Sequence, residues 1–428
     1  MATAIVIKII FFSFTHKLTD LPMQNRVISL DVFRGLTVML MTLVNNPGNW
    51  GYIYAPFEHA KWHGCTLTDL VFPFFLFIVG VSIVLAKPDG EPVPISKLIT
   101  RTLRIFLLGF FLSFFSRIHV GDLEGIPLLL IRLVFTALIT IALLGKYAAK
   151  NQLIVSIVLA VIMFGLAFSG LEDFKSVRIP GVLPRIAVVY AIVGFAYGRV
   201  NLPTLAAISA VLLVGYWAIM TLVPVPGIGP ANLNEGTNLA AYVDNLVLPG
   251  HLWAVSKTWD PEGILSTIPA VATGIIGLIA GTQLRKTRLL ALGGLILLVI
   301  GFSWDLTFPM NKALWTSSFV CVTAGWALLS LAILRYLVDE KNLTTFIAPL
   351  LLFGMHPMLV FFFSGIIPRA LNMIKIGDQG FVGWMYQQAI AGHISNPYVA
   401  SLAGAVGYLV IWYAILRLLT YVKWTVKV

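Results

Sequence analysis

The sequence predicts an all-α, polytopic bundle of about eleven or twelve transmembrane helices, and three observations carry that reading. Of 428 residues, 59% are hydrophobic and 11% charged, where a soluble domain carries about 25% charged residues. The shortage of charge extends along the whole chain, so no water-soluble domain is set apart within it. Apolar runs of about 20 residues, enough to cross roughly 30 Å of hydrocarbon, recur from residue 30 to residue 420.

In chain order the apolar windows fall near 28–46, 67–87, 96–117, 127–146, 152–170, 182–199, 202–223, 264–282, 289–306, 313–337, 343–366 and 397–419. The chain therefore reads as one integral-membrane domain over 28–428, preceded by a short segment, 1–27. That segment contains IVIKIIFFSF, but Lys8 interrupts the apolar stretch and no small-residue cleavage site follows, so it does not read as a signal peptide. Three longer polar stretches, 47–66, 224–263 and 367–396, are expected on one side of the membrane.

Charge gives the expected orientation. With the N-terminus in the cytoplasm, Lys and Arg favour the inner loops by about two to one, most strongly in the short loops. Both termini are then cytoplasmic and the three long loops face outward. The net charge of +11 follows from this bias and needs no nucleic-acid partner. Arg132 is the clearest charge inside a span. Two cysteines, Cys65 and Cys321, fit neither a disulfide framework nor a metal site, and no metal is expected.

The densest polar chemistry surrounds the first two windows. Asp31 and Arg34 are three apart, share a helix face and are expected to pair near the cytoplasmic end. Asn45 and Asn46 emerge near the outer surface, where Pro47 and Gly48 favour helix termination; substrate binding is the competing role. The loop that follows, NPGNWGYIYAPFEHAKWHGCTLTD, holds His59, His63, Trp50, Trp62, Glu58 and Lys61. Its aromatic residues suit a membrane-edge belt and equally suit stacking on sugar rings. His59 and His63 alone are too few for a metal site. Thr66 and Asp69 have capping-box spacing before the second apolar run.

At the inner end of the third window, Lys97, Arg101 and Arg104 form a basic stripe that would grip phosphate or serve as ordinary membrane anchors. Arg285, Lys286 and Arg288 form a second inner cluster, read as anchors. Asp260 and Glu262 open the eighth window, where the helix dipole favours acids and where they would attract a protonated amino sugar. Asn311 and Lys312 stand at the matching entry to the tenth. The other histidines, His16, His119, His251, His356 and His393, show no ligand spacing.

The string LDVFRGLTVMLMTLVNNPGNWGYIYAPFEHAKWHGCTLTDLVFPFFLFIVG closely resembles the heparan-α-glucosaminide N-acetyltransferase family. So do RIPGVLPRIAVVY at 178–190, DPEGILSTIPAVATGIIGLIAG at 260–281 and FPMNKALWTSSFVCVTAG at 308–325. The resemblance implies transfer of an acetyl group from cytoplasmic acetyl-CoA to the amino group of a glucosamine-like acceptor across the membrane. It places the active-site histidine at His59, in the H-A-x-W-x-G segment. On this reading Asp69 orients His59. Asn45, Asn46, Trp62, Asp260, Glu262, Asn311 and Lys312 are substrate-binding candidates, and Arg34, Lys97, Arg101 and Arg104 are acetyl-CoA-binding candidates.

Three departures bear on the acceptor: Pro184 and His356 replace the Gln and Asn expected there, and 127–170 reads as an added helix pair. His59 could act as a general base in a ternary complex or carry the acetyl group itself. An O-acyltransferase of an envelope glycan and a small-molecule transporter are the alternative functions, and the assembly, including a homodimer, is left open. The sequence lacks the long luminal N-terminal domain of the lysosomal enzyme, which leads to the expectation of a bacterial inner membrane.

Overall fold

The computed structural model describes residues 27–345 and 347–422. Apart from Val27, the anticipated N-terminal segment lies outside the described residues. Lipid offers no hydrogen-bond partners, so an apolar run must satisfy its backbone internally, and here each becomes a helix. Fifteen α-helices form among the described residues. They are α1 (Ile28–Val44), α2 (Val71–Ala86), α3 (Ile95–Phe114), α4 (Gly125–Leu144), α5 (Ala149–Ala167), α6 (Val182–Ala196), α7 (Leu202–Leu222) and α8 (Leu239–Val247). After these come α9 (Thr267–Thr282), α10 (Thr287–Asp305), α11 (Ser317–Leu334), α12 (Ala348–Met355), α13 (Pro357–Leu371), α14 (Phe381–Ala389) and α15 (Pro397–Tyr421). Strands β1 (Lys375–Ile376) and β2 (Gln379–Gly380) make one small antiparallel hairpin.

Every apolar window contains a helix, and the long loops add α8 and α14. Among the described residues, eight helices are long and apolar enough to cross a membrane, or nine if the bent α12–α13 pair is one span. Three others, α1, α6 and α9, have 17, 15 and 16 residues. At 1.5 Å per residue, α6 covers only about 23 Å, less than a full hydrocarbon thickness. These helices stop early where chemistry begins: α1 ends at Asn45–Asn46, α6 follows the Arg178 loop, and α9 follows the Asp260–Glu262 loop. Irregular backbone at such depth is tolerable where protein covers it or it lines a cavity.

The bundle has an inner and an outer set. In α2 and α11, 67% and 72% of the apolar window is buried, against 11% in α5 and 22% in α10. The expected extra pair, α4 and α5, therefore sits at the periphery. Close packing fixes the inner set. A Cβ at Gly80 of α2 would lie 2.1 Å from the Gly274 carbonyl oxygen of α9, and one at Gly277 would lie 2.1 Å from that of Phe77. Only glycine permits this backbone-to-backbone contact. Gly35 and Gly354 do the same between α1 and α12, holding Asp31 and Arg34 beside the 81° break at His356–Pro357. Proline cannot donate an N–H and disfavours helix in the residue before it, which accounts for a break at that point.

Candidate active site

The loop between α1 and α2 wraps around one buried carboxylate. Asp69 is 1% exposed and its Oδ2 accepts the N–H groups of Ala60 and Thr66 at 3.1 and 3.0 Å, and the Thr66 hydroxyl at 3.0 Å. Its Oδ1 lies 2.6 Å from Nδ1 of His59. Asp69 thus shapes the turn, as the capping-box spacing anticipates, and grips the histidine as well. With the Nδ1–H donated to Asp69, the lone pair of the neutral ring resides on Nε2. The His59 side chain is 51% exposed, so the ring is half open to solvent.

The other side of His59 is met by a residue 253 positions away. Lys312 Nζ lies 3.1 Å from Nε2 and 3.2 Å from Nδ1 of His59, and 4.0 Å from Oδ1 of Asp69. The turn that presents it is built by Asn311. The Asn311 side-chain oxygen accepts the Leu314 N–H at 2.8 Å, and its backbone N–H donates to the Thr316 hydroxyl at 3.0 Å. Asn311 Nδ2 is buried without a protein partner. Met310 accepts the N–H of Gly64 at 2.7 Å, which ties this turn to the His59 loop. Burial lowers the Lys312 ammonium's proton affinity, while the carboxylates of Glu262 and Asp69 work against that. Burial, with Asp69 next in effect, pushes the Cys65 thiol up to about 12, so Cys65 is no thiolate nucleophile at neutral pH.

Asp260 and Glu262 play a different part from the one their position before α9 implies. Both are buried, and Arg178 takes them: Nε and Nη2 donate to the two oxygens of Asp260 at 2.8 and 2.6 Å, and Nη2 also donates to Glu262. Burial opposes ionisation of Glu262, but Arg178, Arg185 and Lys312 overcome it and hold its carboxyl below the usual range. These acids are neutralised inside the protein rather than displayed to attract an ammonium. Asp244 of α8 secures the same loop by accepting the N–H groups of Asp260 and Ile264 at 3.1 and 2.8 Å. The loop then covers His59's neighbour: Trp62 donates Nε1–H to the Leu233 carbonyl at 2.8 Å and meets Trp259 edge-on at 5.4 Å. Trp253 packs on Trp259 in turn, at 5.6 Å.

Of the two asparagines ending α1, Asn46 turns its Nδ2 back to the Thr42 carbonyl at 2.9 Å, and Asn45 is the exposed C-cap. Helix termination accounts for the Asn46 contact.

At the opposite end of the bundle lies a cavity of about 350 Å³. Asp31, Arg34, Ser82 and Arg101 give it polar corners, and Phe75, Ile105, Leu183, Tyr190 and Phe361 are among its apolar walls. The expected Asp31–Arg34 pair forms at 2.7 Å, and Arg34 also donates to Ser82 at 3.0 Å. Arg101 lies over the Tyr190 ring, 4.9 Å from its centre, with its Nε buried and unpartnered. The basic stripe does not act as a unit. Arg104, three residues beyond Arg101, is rotated by about 60° around the helix and donates to the Leu143 carbonyl of α4. Lys97 is exposed and is not among the lining residues. Of the four acetyl-CoA-binding candidates, the cavity collects Arg34 and Arg101.

Residues 26–211 match the family model described as the catalytic region of heparan-alpha-glucosaminide N-acetyltransferase. The chain resembles the heparan-α-glucosaminide N-acetyltransferases. The human heparan-α-glucosaminide N-acetyltransferase is 29% identical over 409 residues, covering 81% of this chain and 53% of its own length. The mouse protein of the same name is 27% identical over 394 residues, covering 79% and 53%. The chain thus spans about half the length of these curated relatives. The matched region holds His59, Asp69, Arg34, Arg101 and Arg178, while Lys312, Asp260 and Glu262 lie beyond it. Arg178, Arg185 and Tyr190 help form these sites, and apart from their place in the RIPGVLPRIAVVY segment no sequence signal singles them out.

Proposed function

We propose that this chain is a transmembrane acetyltransferase that takes the acetyl group of acetyl-CoA from the cytoplasmic face and places it on the amino group of a glucosamine-like sugar at the other face. The observation that carries the reading is His59 held by Asp69 at 2.6 Å, with its ring half exposed, in a chain similar to named N-acetyltransferases. The two-to-one bias of Lys and Arg supports setting the Arg34–Arg101 cavity on the cytoplasmic side and His59 on the other.

The residues divide the work. Acetyl-CoA supplies a thioester-activated acetyl group. Arg34 and Arg101 suit its phosphates, and the unpartnered Nε of Arg101 is a donor in want of an acceptor. The apolar walls between α2, α3, α6 and α13 suit the uncharged arm that must lead from there toward His59. Along α1, Arg34 and Asn45 are about 17 Å apart by helical rise. At the His59 end the acceptor amine gives its proton to Nε2 as its nitrogen bonds to the acetyl carbon and the carbon–sulfur bond breaks. The thiolate departs without acid assistance, since a thiol pKa is about 8.5. Trp62 and Trp253, partly exposed and packed on the buried Trp259, offer flat apolar faces for a sugar ring.

The test is a sided assay in sealed proteoliposomes, with acetyl-CoA outside and glucosamine inside. N-acetylglucosamine accumulating in the lumen is the expected result, because acetyl-CoA does not cross the bilayer. Product only when both substrates share one side would exclude transmembrane transfer.

A further inference from the structure

The contact between Lys312 and His59 carries a role that lies beyond substrate binding. A histidine held by a carboxylate alone is drawn toward its protonated form, because the carboxylate stabilises the imidazolium. A general base for an amine has to be neutral when the substrate arrives. Here Asp69 approaches one side of the ring at 2.6 Å, and the Lys312 ammonium lies 3.1–3.2 Å from both ring nitrogens. The cation is fixed rather than passing: the Asn311 turn presents it, the Gly64–Met310 hydrogen bond ties that turn to the His59 loop, and the Lys312 side chain is 22% exposed.

We propose that Lys312 is a positioning residue for the acetyl transfer, seating the His59 ring against Asp69 and opposing its protonation so that His59 meets the acceptor as a base. This rests on the function proposed above. The charged groups around the pair are few enough to name. Asp69 and Lys312 touch His59, while Glu58, Lys61 and His63 share its loop. Glu262, Arg178 and Arg185 act on Lys312 from the loops and helix behind it. Arg178 binds the buried carboxylates and Arg185 donates to a carbonyl and a hydroxyl, while among the described residues Lys312 is the cation that touches the ring.

The experiment compares wild type with Lys312→Met, Lys312→Gln and Lys312→Arg in detergent. Two titrations are read side by side. One is the acidic limb of kcat/KM for acetyl transfer to glucosamine. The other is the pH dependence of His59 modification by diethyl pyrocarbonate, scored on the His59 peptide by mass spectrometry. Loss of the cation is expected to move both limbs to higher pH by about one unit or more, with Arg close to wild type. At a pH below the wild-type limb, transfer falls by about tenfold for each unit of displacement. Limbs unmoved in both neutral variants would overturn the proposal, and so would a shift of equal size in Lys312→Arg. The chemical titration needs no turnover. A shift there with no acetyl transfer in any form would sustain Lys312's effect on His59 while counting against the acetyltransferase reading.

Discussion

Asp69→Asn is expected to leave the protein folded and to reduce acetyl transfer by about 10²–10⁴-fold in kcat. Asp69 Oδ1 accepts the Nδ1–H of His59 and thereby fixes the lone pair on Nε2. An amide at this position presents its NH₂ to one side or the other. If it faces His59, the ring must accept at Nδ1 and carry its proton on Nε2, where it cannot act as a base. If it faces the loop, it opposes three donors, two N–H groups and the Thr66 hydroxyl. The first outcome costs catalysis and the second loosens the turn, so kcat and the thermal midpoint are to be measured together. A variant with near-wild-type kcat would remove Asp69 from the account.

The second large effect falls on folding. Arg178→Met strands two buried carboxylates, Asp260 and Glu262, that share one guanidinium. Removing one partner of a buried ion pair costs about 3–5 kcal/mol, because the remaining charge is left uncompensated. The variant should therefore give little folded protein in detergent at neutral pH. The sign of its pH dependence follows from Glu262, which the wild type holds ionised below the usual range. In wild type that pairing adds stability above the unfolded-state pKa of about 4.3, lost as pH falls through the depressed folded value. In Arg178→Met that contribution is absent, so the stability deficit should hold above a pH of about 4.3 and shrink as the pH falls below it. Adding Asp260→Asn and Glu262→Gln to Arg178→Met should restore part of the folded yield: the stranded carboxylates are gone, while Arg185 and Lys312 lose nearby counter-charges. A triple variant as unstable as the single one would count against stranded carboxylates as the cause.

Much of the fold could be read from the sequence because membrane helices are written in long apolar runs. All twelve windows contain helices, and the Asp31–Arg34 pair follows from three-residue spacing on one helix. The Thr66–Asp69 contact was legible for the same reason, being local. Contacts between distant segments were not. Nothing in the FPMNKALW string marks Lys312 as the neighbour of His59, since helix packing, not spacing, brings them together. Asp260 and Glu262 read as dipole-favoured acids or as a lure for an amino sugar because the partner, Arg178, lies 82 and 84 residues earlier. The basic stripe misled in a simpler way. Spacing of i, i+4, i+7 gives a shared face only approximately, and α4 captures the flank on which Arg104 lies. The break in the α12–α13 pair had a signal in Gly354-Met355-His356-Pro357, outweighed by the continuous apolar character on either side.

If His59 performs the transfer, its removal should abolish product. Purified wild type and His59→Ala are incubated in detergent with labelled acetyl-CoA and glucosamine, and labelled N-acetylglucosamine is quantified. Transfer by the wild type is expected, with a loss of about 10²-fold or more in a variant that elutes and melts like the wild type. Undiminished transfer by His59→Ala would contradict the mechanism. A folded wild type that neither binds acetyl-CoA nor turns it over would contradict the acetyltransferase assignment itself.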